Sequence, residues 1–167
     1  MHDNRRTLGL AGALLALGLS GVAVPAFAVP PEVKTVPWVA ANPLIPHDTF
    51  AGKTIRLKGT VDPKGEPLGN LQYSWDFGDG TSTAFAAVTD PYALEASKAY
   101  PNTIPVGTVI TARLTVRNTV TGETDTKPYF IKMEPQTQAV EVNVAIDEGL
   151  WYLHKFMYRN FTCNGLP

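Results

Sequence analysis

A single cysteine, Cys163, occurs in the 167 residues, so no disulfide can form within the chain and the fold must rest on its hydrophobic core. Histidine is almost as scarce: His2, His47 and His154. No phosphate loop, nucleophile elbow, metal-binding helix motif or CxxC pair can be found. Charge is also sparse. Only 17% of residues are charged, and 14 basic residues nearly balance 15 acidic ones for a net of -1. No basic block of the kind that follows a phosphate backbone is present, which argues against nucleic acid as a partner. What the chain does have is turn-forming residues, 14 Gly and 14 Pro, alongside a 44% hydrophobic content that can support a core. That mixture points to a loop-rich β protein and away from a helical bundle.

Residues 1–28 read as a secretory signal peptide. Arg5 and Arg6 give a positive start, Leu8 to Val24 is apolar apart from Ser20, and Ala26-Phe27-Ala28 supplies a small-x-small cleavage site. Asn4-Arg5-Arg6-Thr7-Leu8 partly matches a twin-arginine export motif, so either that route or ordinary secretion fits. An uncleaved anchor, the one way this chain would touch a membrane, is the competing reading. The cleavage site and the glycines of the apolar run favour removal after Ala28, leaving a secreted, periplasmic or cell-surface protein.

Residues 29–45 form a Pro-rich segment, with Pro30, Pro31, Pro37 and Pro43 fixing φ and withholding amide donors. It reads as an extended linker, with Val36 to Val39 laid along a sheet edge. The pattern then changes. Thr54 to Val61 alternates, with Ile55, Leu57 and Val61 on one face and Arg56, Lys58 and Thr60 on the other. Leu71 to Phe77 alternates again, and Thr108 to Arg117 places Ile110, Ala112, Leu114 and Val116 inward. A further strand is expected from Thr126 to Met133. Turn signals separate these runs at Asp62-Pro63-Lys64-Gly65, Gly78-Asp79-Gly80 and around Gly122. Short alternating strands with turns between them predict an all-β, antiparallel sandwich over residues 46–134.

One segment is more specific. Trp75-Asp76-Phe77-Gly78-Asp79-Gly80-Thr81-Ser82 resembles the signature of the PKD domain, the immunoglobulin-like sandwich named for the polycystic kidney disease protein. An upstream Gly52-to-Leu57 strand and a downstream Tyr100, Gly107 and Ile110-to-Val116 strand match as well. Two positions depart from the pattern. Lys98 stands where these domains often carry His, and the connection from Ala99 to Thr108 is long. The resemblance implies a non-catalytic module: a spacer, or an adhesion domain that binds protein or carbohydrate at the cell surface or contacts neighbouring domains. Some PKD relatives carry calcium, which makes Asp76 and Asp79 candidate ligands. Two carboxylates on one turn are too few for a calcium cage, so the reading preferred here needs no cofactor: both hold the turn through backbone amides.

The period changes once more after Pro135. Residues 141–159 show Ile146, Leu150, Leu153 and Met157 at helical spacing, with Asn143 as a plausible N-cap and Trp151 and Phe156 widening the apolar stripe. This amphipathic helix needs a partner, either the sandwich or another chain. Ala145 to Leu153 also resembles the first helix of the α/α-toroid repeats of terpenoid cyclases and prenyltransferases. No Asp-rich cyclase motif accompanies it, so no such activity carries over. On that resemblance the chain is the N-terminal part of a larger exported protein or enzyme whose helical repeats lie beyond residue 167. His154 is expected as a cation near the helix C-terminus, and His47 has no partner nearby in sequence.

Overall fold

The computed structural model describes residues 29–37 and 41–160, so the expected signal peptide, Trp38 and Cys163 lie outside the described residues. Two sheets face each other. Strands β1 (Glu32–Thr35), β3 (Thr54–Asp62) and β6 (Leu94–Ala99) form a three-stranded sheet in the order β1-β3-β6. Strands β2 (His47–Thr49), β4 (Leu71–Asp76), β5 (Ala86–Ala87), β7 (Val109–Asn118) and β8 (Thr124–Met133) form the other, in the order β2-β8-β7-β4-β5. Pairing is antiparallel except that β2 runs parallel to β8. The two-layer arrangement is the sandwich expected from the alternation.

The period-2 reading holds in the core. Ile55, Leu57 and Val61 from β3 face Trp75, Ile110, Ala112, Leu114 and Val116 from the larger sheet, all buried. Trp75 is completely enclosed, meets Tyr129 edge-on at 5.8 Å between ring centroids, and donates its indole N–H to the Leu94 carbonyl at 3.2 Å. Burying an aromatic ring removes a large apolar area from water, and the hydrogen bond to the facing sheet fixes its orientation. Gly59 sits opposite this ring because a Cβ there would collide with Leu114 Cδ2.

Three expectations change. The Pro-rich segment is more than a linker: Glu32–Thr35 pairs with Asp62–Gly59 as β1, burying Val33 and Thr35. Pro30, Pro31 and Pro37 flank this short edge strand without interrupting it, which is where sheets tolerate proline. Val36, read as part of the edge, follows β1, although its amide still donates to the Lys58 carbonyl at 2.9 Å.

The second and third concern the helix, α1, which spans Gln138–Asn160. Asn143 is therefore an interior residue. Thr137 precedes the first turn and accepts the Glu141 amide on its carbonyl, at 2.9 Å. The stripe Ile146, Leu150, Leu153 and Met157 faces outward, each residue more than half exposed. The opposite face, with Val140, Val144 and Trp151 buried, packs on the sandwich instead. α1 contacts β2 and β3, strands from different sheets.

Candidate functional site

Two places gather side chains capable of chemistry. The first is the turn after β4. Trp75 and Thr83 tie its ends together: the Thr83 amide donates to the Trp75 carbonyl at 2.8 Å, and the Trp75 amide donates to Thr83 Oγ1 at 2.9 Å. Gly78 has φ +74, and a Cβ there would also meet the Thr111 carbonyl, so this position admits glycine on two grounds. Asp76 Oδ1 accepts the Gly78 amide at 2.9 Å and Asp79 Oδ1 accepts the Thr81 amide at 3.0 Å. Each carboxylate thus bonds the backbone two residues on, a geometry that stabilises turns.

The second oxygen of Asp79 lies 2.6 Å from Lys98 Nζ, which also donates to Thr81 Oγ1 at 2.8 Å. Lys98 Nζ stands over the Phe77 ring, 4.9 Å from its centroid, and the Tyr100 hydroxyl donates to the Phe77 carbonyl at 2.8 Å. Partial burial pushes the Asp79 carboxyl up, but the hydrogen bonds from Lys98 and Thr81 outweigh it and bring the pKa down to about 2. Arg113 is 3.9 Å from Asp76 in an exposed pair. A groove of about 630 Å³ opens beside the turn, lined by Asp76, Asp79, Thr108, Ile110 and Arg113. Among the described residues no three His, Cys, Asp or Glu side chains converge as a metal cluster would require.

The second place, under α1, was not legible in the sequence. Lys58 points from the outer face of β3 into the helix contact and is only 1% exposed. Its ammonium makes a direct hydrogen bond to Asp147 Oδ2, another to the Asp147 carbonyl at 3.2 Å, and lies 3.5 Å from Glu148 Oε1. His47 Nε2 lies 3.3 Å from the same Asp147 oxygen. Glu148 Oε1 and the Tyr129 hydroxyl are buried without a hydrogen-bond partner. One turn further along α1, the Trp151 indole and, at 2.7 Å, the Lys155 ammonium both donate to Glu95 Oε1 on β6. Together these contacts fasten α1 to both sheets.

Burial governs the titration here. It draws Lys58 down to about 8, with Glu148 partly offsetting the shift, and it draws His47 down to about 4, helped by the Lys58 charge. Burial, with Glu148 adding to it, raises the Tyr129 phenol far above its ordinary value. His154 stacks on Trp151 at 4.8 Å, and burial lowers its pKa. That burial disfavours the cation expected there. A shallow groove of about 260 Å³, lined by His47, Asp48, Asn143 and Asp147, reaches the edge of this cluster.

No family model and no curated protein matches this chain. Among solved structures, it is similar to the PKD domain of an M14-like peptidase from the Thermoplasmatales archaeon SCGC AB-540-F20. The match covers 64% of this chain and 94% of that domain, at 17% identity and a TM-score of 0.42. At that TM-score the overlap is loose, and nothing about activity follows from it. The PKD-like signature found in the sequence lies at the strand-to-turn corner just described, and its two carboxylates sit on the two Asx-type turns of that corner.

Proposed function

We infer that this chain is an exported, non-catalytic PKD-like module that holds neighbouring domains apart or binds protein or carbohydrate at the cell surface. The observation that carries this reading is the signature corner. Asp76 and Asp79, the side chains there best suited to chemistry, are engaged by backbone amides, Lys98 and Arg113. A carboxylate committed in this way supports shape rather than proton transfer. Export rests on residues 1–28 and is tested by amino-terminal sequencing of the secreted protein, which should begin at Val29. A chain that keeps Met1 and stays with membranes would refute it. Binding is tested by titrating purified cell-surface polysaccharide into the mature protein, while a spacer should show no heat of binding.

The outward stripe on α1 favours a second reading, in which the module belongs to a larger exported protein with further helices. Ile146, Leu150, Leu153 and Met157 form one exposed apolar band opposite the docked face. Reading the gene beyond residue 167 decides this. An open frame with repeated Trp- and Leu-rich helices supports it, and a stop codon there removes it.

A further inference from the structure

We propose that Lys58 and Asp147 become joined by an intramolecular amide, an isopeptide bond that welds α1 to β3. The Lys58 amine and the Asp147 carboxyl are in direct contact, on elements 89 residues apart in the chain. A second carboxyl, Glu148, stands 3.5 Å from the same nitrogen, with its Oε1 buried and unmatched by any hydrogen bond. These are the components an amide condensation needs: an amine, a carboxyl and a proton carrier, held together around an ammonium shielded from water.

The balance closes without any co-reactant. The ammonium of Lys58 passes one proton through Glu148 to an Asp147 oxygen, leaving a neutral amine beside a neutral carboxyl. Nζ attacks Asp147 Cγ and the N–C bond forms. A second proton moves from nitrogen through Glu148 to the departing hydroxyl, the C–O bond breaks, and water leaves. The third proton remains on the amide nitrogen. One positive and one negative charge disappear, which removes the desolvation penalty that the enclosed Lys58 ammonium carries.

The surroundings favour each stage. Burial already draws Lys58 down to about 8, so the neutral nucleophile is far more accessible than on a surface lysine. His47, drawn down to about 4 by burial, is an uncharged imidazole that holds the attacked carboxyl through the same oxygen, Oδ2, at 3.3 Å. Glu148 is the relay and His47 a positioning residue. The groove beside His47 and Asp147 gives the released water a way out.

Peptide mapping of the full-length purified protein tests this directly. Trypsin does not cut after an acylated lysine. The cross-linked protein should therefore yield a branched peptide of residues 57–64 joined to residues 133–155, lighter than the sum of the two by one water. The intact protein should likewise be one water lighter than its sequence mass. A Glu148→Gln protein that folds, judged by its circular dichroism, should recover the full mass and release residues 59–64 and 133–155 as linear peptides. Folded wild-type protein that gives only those linear peptides at full mass overturns the proposal. A Glu148→Gln protein that still loses water overturns the assignment of the relay.

Discussion

Lys98 reaches Asp79 at the rim of the sandwich, and Lys58 reaches Asp147 beneath α1; the chemistry of the pairs is the same and their settings differ. The first pair links the turn after β4 to β6 of the facing sheet, and both its side chains are 18% exposed. The second joins a strand to a helix far along the chain, and its lysine is sealed off. At the corner, water shares in solvating the charges, so the pair adds modestly to a turn already fixed by glycine and backbone amides. Under the helix, the protein alone must satisfy the ammonium, so the pair either carries a large penalty when broken or escapes it by becoming covalent. Identical residue types thus mark a brace in one place and a reactive centre in the other.

The largest effect is expected from removing the floor the two regions share. Trp75→Ala should destabilise the protein by about 3–5 kcal/mol, the usual result of truncating a buried aromatic. Urea denaturation measures it, and a change below about 1 kcal/mol would be the behaviour of a surface residue.

The next experiment separates the pairs by pH. An unbonded Lys58 titrates near 8 in the folded protein, with Glu148 helping to hold its proton, against an ordinary 10.5 when unfolded. Between those values the unfolded state binds more protons, so unfolding free energy must rise with pH across that window. The gain should be about 3 kcal/mol in Glu148→Gln protein relative to Lys58→Met, with the rise starting somewhat below 8 because Glu148 no longer supports the ammonium. Wild-type protein carrying the amide should show no such rise against the same reference.

Asp79 should respond at the other end of the scale. Its folded pKa of about 2 lies below the ordinary 3.8, so its contribution is full above about pH 4 and fades as pH falls through 2. Asp79→Ala should lose about 0.5–2 kcal/mol, like a lost cap, while Asp79→Asn should be mild because the amide oxygen still accepts a bond. Thermal melts with and without chelator sharpen this. A calcium-dependent shift of several degrees, abolished by Asp79→Asn, would replace the brace by a metal site. The smallest change is expected at the exposed edge of the same corner, where Arg113→Ala should alter stability by less than about 0.5 kcal/mol.

The difference between the regions also explains what could be read from the sequence. The four long alternating runs could be placed because period 2 needs only one buried face, and the corner could be recognised because Asp and Gly act on amides two residues away. β1 and β6 escaped notice: Glu32–Thr35 is short and hemmed by proline, and Leu94–Ala99 has a weak apolar pattern. The α1 stripe misled for a physical reason. Apolar spacing shows that a face is apolar, not which neighbour covers it, and here the docked face relies on Trp151, Asp147 and Glu148 instead. Lys58 sat on a face assigned to water, and nothing local in the sequence signals that a helix 80 residues later will cover it.

The borders of the two sheets bear on how this protein behaves in a crowd. Exposed strand edges invite other chains to extend the ladder. Three of the four borders here are strands of four, three and two residues, too short to template much pairing. The fourth, β6, carries Glu95 and Lys98, and both are already engaged, Glu95 by side chains reaching over from α1. Copies packed at high density would find little strand edge on which to zip together, in a sandwich that no disulfide within the chain holds closed.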